Sequence, residues 1–220
     1  MRIFLTDADR ASARAALARW AGLVVLAALA VYFFRSPLVQ PLRMLAVLFH
    51  EAGHVLAAVA TGGRVEEVAV QLGEGGYTKY WGGSPILVTQ AGYLGSLLAG
   101  LGLVALAKGP ARVGCSAVGL FVLGICALMP ALTMGQFYAA GLGCAFVLLG
   151  VRGAEAVCRW VLRGIGVFSV LYALADVHAD AGVGDAAILA ARTGVPAIVW
   201  TGSWLFTGVA LVWVTRRWIL

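Results

Sequence analysis

The chain has 220 residues, of which 62% are hydrophobic and 12% charged, with a net charge of +6 and a mean hydropathy of +0.94. Soluble domains sit near about 45–50% apolar and about 25% charged, so the composition excludes a soluble globular enzyme, a disordered chain and a nucleic-acid-binding protein. It predicts an all-α polytopic membrane protein, with about 20 apolar residues to each span. The basic residues lie between apolar runs, where flanking charge anchors spans, and their nearly even division between the two sides leaves the orientation open. Cys115, Cys126, Cys144 and Cys158 lie in or beside apolar runs at irregular spacing and read as small core residues.

In sequence order, an arginine-rich arm leads to Trp20 and an apolar run to about Phe34. Ala28-Leu29-Ala30 resembles a signal-peptide cleavage site, but Asp7 and Asp9 in a long leading region favour a retained first span. A second run, Leu42 to Thr61, closes on Gly62-Gly63, which supplies a left-handed C-cap. Residues 64–83 break the pattern. Val68, Val70 and Leu72 alternate with polar or small positions, Gly73 to Gly76 form a turn, and Tyr77 to Trp81 follow, which predicts a β-hairpin. With Glu66 and Glu67 it belongs at the membrane surface or in a protein-lined cavity, since an open strand edge cannot face lipid.

Further spans are predicted over 85–107, 112–129, 133–150, 157–175 and 197–215, about six or seven in all, within one integral-membrane domain over 1–220. Residues 185–193 form a short helix, with Asp185 as N-cap, Gly194 beyond its end and Pro196 opening the next element.

The second span holds His50-Glu51-Ala52-Gly53-His54, an HExxH pattern on a helix. Side chains four apart share a helical face, so both imidazoles can bind one Zn²⁺ at about 2.0–2.1 Å. Glu51 then stands beside the open position, placed to take a proton from the attacking water and pass it to a leaving amine. These three are the only ionisable side chains between Met44 and Thr61. At mid-span each costs about 2.5–3.5 kcal/mol on insertion scales, a cost that a metal and surrounding protein would offset.

A catalytic zinc takes three protein ligands, so one must come from elsewhere. Glu155, flanked by Arg152 and Arg159, reads as an interfacial ion pair. Asp176 continues the apolar run Val170 to Ala175, lies deepest and is the favoured third ligand, with Asp180 and His178 as alternatives. Asp180 and Asp185 lie in glycine-rich sequence, where solvation or capping accounts for them. In the third span Gly92, Ser96 and Gly100 recur at four-residue intervals, beside Ala91, Gly95 and Ala99. They predict close packing against the His50–His54 helix, where Gly53 and Ala57 accept it.

With HEAGH in an early span, Thr-Gly-Gly after it, Tyr-Trp-Gly-Gly-Ser, Ala91 to Ser96, the distal Tyr-Ala-Leu-Ala-Asp-Val-His-Ala-Asp and Gly-Val-Pro-Ala-Ile-Val-Trp, residues 40–215 resemble the site-2 protease family of intramembrane zinc metalloproteases. The likeness is closest to its compact branch of small bacterial membrane proteins without a PDZ domain. It implies His50 and His54 as ligands, Glu51 as general base and an aspartate on a later helix completing the site. The sequence departs from the family where Asp176 is followed by Val177 instead of glycine. It also carries Tyr93 and Ser96 in the element where the family has proline and asparagine.

These readings lead to a multi-pass enzyme of the bacterial cell membrane that uses Zn²⁺ to cut a membrane-protein or membrane-adjacent peptide, with no nucleic-acid partner. A zinc-binding, non-proteolytic scaffold is the alternative. A metal permease ranks last, because polar ligands are confined to two places.

Overall fold

A computed structural model describes residues 39–71, 75–130, 133–179 and 184–219, with isolated positions before Val39 and without the side chains of residues 178–179 and 217–219. The protein divides into two compact units, Met1–Gln40 with Leu220, and Pro41–Ile219. In the first, the Val39 amide donates to the Ser36 carbonyl at 3.0 Å to close a turn. The expected first span and the signal-peptide reading fall almost wholly outside the described residues.

Helix α1, Gln40–Ala60, has 21 residues, about 31 Å at 1.5 Å per residue and so a match to the hydrocarbon thickness. It stops where the glycine pair predicts. Gly62 takes the left-handed conformation, with φ of 83°, and the Gly63 amide donates to Ala58 O at 2.8 Å. Strands β1, Arg64–Val70, and β2, Gly76–Trp81, pair antiparallel in a register that sets Val68 opposite Thr78 and Val70 opposite Gly76. The tip of the expected glycine turn, residues 72–74, lies outside the described residues. Val68 and Val70 are the buried face of β1.

Helices α2, Pro85–Leu106, α3, Ala111–Cys126, α4, Met134–Arg152, α5, Glu155–Ala179, α6, Asp185–Thr193, and α7, Ala197–Ile219, complete the order. Among the described residues the fold is helical apart from the hairpin, as composition predicts. Among the described residues five helices, α1, α2, α4, α5 and α7, are long and apolar enough to cross a membrane.

Two expectations are corrected here. The span predicted over 112–129 is the 16-residue α3, about 24 Å long and short of a bilayer core. The backbone leaves the helix after Cys126, and the Leu128 carbonyl accepts the Val68 amide of β1 at 3.0 Å instead of continuing the helix. Helix α5 runs on through Ala179, past the expected end at residue 175, so Asp176 stands within the helix.

Candidate metal centre

The two histidines reach a protein-lined position because α1 and α2 approach backbone to backbone. A Cβ on Gly53 would lie 3.1 Å from Gly95 Cα, and Ala91 crowds the same point, so only glycine permits this crossing. The small-residue stripe of α2 therefore packs on α1 through Ala91 and Gly95. Its other members do different work: Ser96 Oγ donates to Ala46 O at 3.4 Å, Gly100 meets Gly166 of α5, and Gly92 faces the imidazoles.

The crossing sets the Val88 carbonyl 2.7 Å from His54 Nδ1. A carbonyl only accepts, so Nδ1 carries the proton, and Nε2 is the atom that can bind a metal when the ring is neutral. His50 is held by edge-on contact with Tyr93, whose ring centroid lies 4.8 Å away at 89°, and Tyr93 in turn stacks on Trp204 at 4.7 Å. Tyr93, Val177, Ala186, Leu189 and Trp204 form one apolar cluster that joins α2, α5, α6 and α7.

That cluster decides which carboxylate meets the histidines. Ala186 and Leu189, fully buried, dock α6 onto Tyr93 and Trp204. The neighbouring Asp185 then points inward, with Oδ2 3.1 Å from His50 Nε2 and 3.3 Å from His54 Nε2. The N-cap of α6 is Gly184, not Asp185 as the sequence predicts. Asp176, the favoured third ligand, lines the same cavity but is not in the group whose donor atoms converge. It stands on the last turns of α5, near Tyr172. Asp180 and the side chain of His178 lie outside the described residues. Glu155 bears out its ion pair, with Arg159 Nη2 at 3.5 Å, and its carboxylate also accepts the Ala111 amide at the start of α3.

The donor atoms of His50, His54 and Asp185 lie within 4.8 Å of one another. Asp185 Oδ2 is buried with no hydrogen-bond partner. His50 Nε2 and His54 Nε2 face it at 3.1 and 3.3 Å, and with both rings neutral these three atoms are a donor set for one cation. Ligands about 2.0–2.1 Å from a tetrahedral ion stand about 3.3–3.4 Å apart, close to the 3.1 and 3.3 Å between Asp185 Oδ2 and the two histidines, so the donor set fits a metal of this kind. Burial alone would raise the Asp185 carboxyl pKa, but His50 and His54 outweigh it and lower it to about 2, so the group is an anion.

Glu51, only 4% exposed, points to the hairpin. Thr78 Oγ1 of β2 donates to its Oε2 at 2.7 Å. Gly76 leaves room for it, because a Cβ there would lie 2.8 Å from Glu51 Cγ. The whole group opens into a cavity of about 540 Å³, rimmed by Tyr80, Ile188 and Arg192. Sequence reasoning missed Asp185, Thr78 and Gly76. Only the placement of Asp185 on a short amphipathic helix could have signalled it.

The five spans and the three-donor group define an integral membrane protein with a metal-competent site beside a buried acid. A family profile described as Peptidase M50B-like matches residues 22–215, and the chain belongs to that peptidase family. The likeness to site-2 proteases read from the sequence is thereby borne out. No match was found among curated proteins, and none among solved structures.

Proposed function

We propose that the protein is a membrane zinc endopeptidase that cuts a peptide bond in or near a transmembrane segment, with His50, His54 and Asp185 as ligands and Glu51 as general base. The observation that carries the reading is the buried, unbonded Asp185 Oδ2 set against both histidine Nε2 atoms. When bound, zinc supplies a Lewis acid that polarises the scissile carbonyl and makes water acidic near neutral pH.

The protein's own residues supply the rest. Glu51 accepts the proton of the attacking water and delivers it to the leaving amide nitrogen. Thr78 holds the Glu51 carboxylate through Oε2 and leaves Oε1 for the proton. Strand β1 is paired on one side with β2 and bonded on the other to Leu128, so among the described residues β2 offers the unpaired edge, beside Glu51. A substrate unwound into an extended strand can add there, and its peptide bonds lose the shielding of a helix. A bacterial cell membrane is the location that the resemblance suggests.

The test is Glu51→Gln. The amide cannot take the proton, so metal content should stay at one equivalent while cleavage of a membrane-protein substrate falls about 10²–10⁴-fold. Undiminished biological function with full metal and no proteolysis would favour the non-proteolytic scaffold.

A further inference from the structure

Helix α6 carries a second polar group on the face that bears Asp185. Asp185, Ile188 and Arg192 fall at i, i+3 and i+7, and all three line the cavity. Arg192 is exposed and is the one lysine or arginine among the described lining residues, whereas Glu51, Asp176 and Asp185 are all acids. No described residue pairs with its guanidinium.

The spacing gives this cation a position relative to the chemistry. Seven residues of helix rise about 10 Å, and an extended peptide advances about 3.3 Å per residue. A peptide whose scissile bond lies at Asp185 and which runs along α6 therefore reaches Arg192 about three residues away. An anionic group entering this cavity would meet three carboxylates, and among the described lining residues Arg192 is the one lysine or arginine that opposes that repulsion. The planar guanidinium binds a carboxylate through two parallel hydrogen bonds.

We infer that Arg192 is a specificity-determining residue that selects substrates with a carboxylate about three residues from the scissile bond. The inference rests on the endopeptidase reading above. The carboxylate can belong to an Asp or Glu residue of the substrate or to the substrate's free carboxyl terminus, and the two are separable.

The experiment uses the full zinc-loaded protein in lipid nanodiscs and peptides in matched Glu and Gln pairs, substituted at each of four positions on either side of the bond. A second set compares a free carboxyl terminus with its amide. Wild type should favour the acid by about tenfold in kcat/KM at one position near the third. Arg192→Gln should bring that ratio to about one, Arg192→Lys should keep part of it, and Arg192→Glu should favour a Lys peptide instead. Affinities measured in the Glu51→Gln background should follow the same ratios. A ratio unchanged by Arg192→Gln, or an equal loss for both members of each pair, would overturn the inference. If wild type cleaves no peptide, the endopeptidase reading fails. The affinity ratios then decide Arg192 by themselves: an acid preference lost in Arg192→Gln supports it, and no preference refutes it.

Discussion

Gly92 of α2 stands so close to the histidine pair that a methyl group at its Cα would lie 2.7 Å from His54 Cε1 and press on His50 as well. The glycine is a space requirement of the two rings, not a conformational one. Its place four residues after Val88, whose carbonyl fixes the His54 tautomer, makes α2 the wall against which both imidazoles are set.

Gly92→Ala should therefore displace both rings while leaving the helix intact. Metal affinity is expected to fall about 10–100-fold, the range for a disturbed supporting shell, with helical content unchanged by circular dichroism. Competition against a chelator of known affinity provides the measurement. Full retention would mean that α2 can retreat at this point.

Asp185→Asn should lose bound zinc, because the amide carries no charge to close the donor set, whereas Asp176→Asn should keep one equivalent. Elemental analysis of the two purified variants separates them. The opposite ranking would return the ligand to α5.

Thr78→Val removes the hydroxyl that donates to Glu51 Oε2 at 2.7 Å and leaves a buried carboxylate without that partner. Cleavage should fall on the order of tenfold, as loss of one charge-assisted hydrogen bond implies, while zinc content stays constant and Thr78→Ser restores the rate. A loss of metal in Thr78→Val would mean that the hairpin supports the ligands and not the base.

Gly53→Ala should destabilise the protein, since the added methyl would meet the Ala91 carbonyl and Gly95 Cα. Overpacking of this kind costs about 1–3 kcal/mol. Gly102→Ala is the control, as nothing lies within 4 Å of that position, and it should be neutral or slightly stabilising through helix propensity. Thermal unfolding in detergent compares them. Equal melting temperatures would show that α1 and α2 slide apart without cost.

Much of the candidate site was legible from local pattern. The four-residue spacing of His50 and His54 sets them on one helical face in any environment, and an otherwise apolar run marks that helix as a span. Gly62-Gly63 ends the helix and the alternation of Val68 and Val70 makes the strand, because both follow from backbone geometry within a few residues. The end of α3 was misjudged, since the Leu128 carbonyl is taken by Val68 on a strand far earlier in the sequence, and hydropathy carries no record of that bond.

The third donor shows where local pattern stops. Depth along its own span favoured Asp176, but depth in one helix is not distance from another. Ala186 and Leu189, two apolar positions on a nine-residue helix, seat α6 against Tyr93 and Trp204 and turn Asp185 toward the histidines. The sequence by itself determined a membrane-spanning protein with a two-histidine, one-glutamate helix, because hydropathy and helical period are properties of contiguous residues. Only the tertiary structure decided that Asp185 meets His50 and His54 and that Thr78 holds Glu51, because both contacts depend on which faces of distant elements pack together.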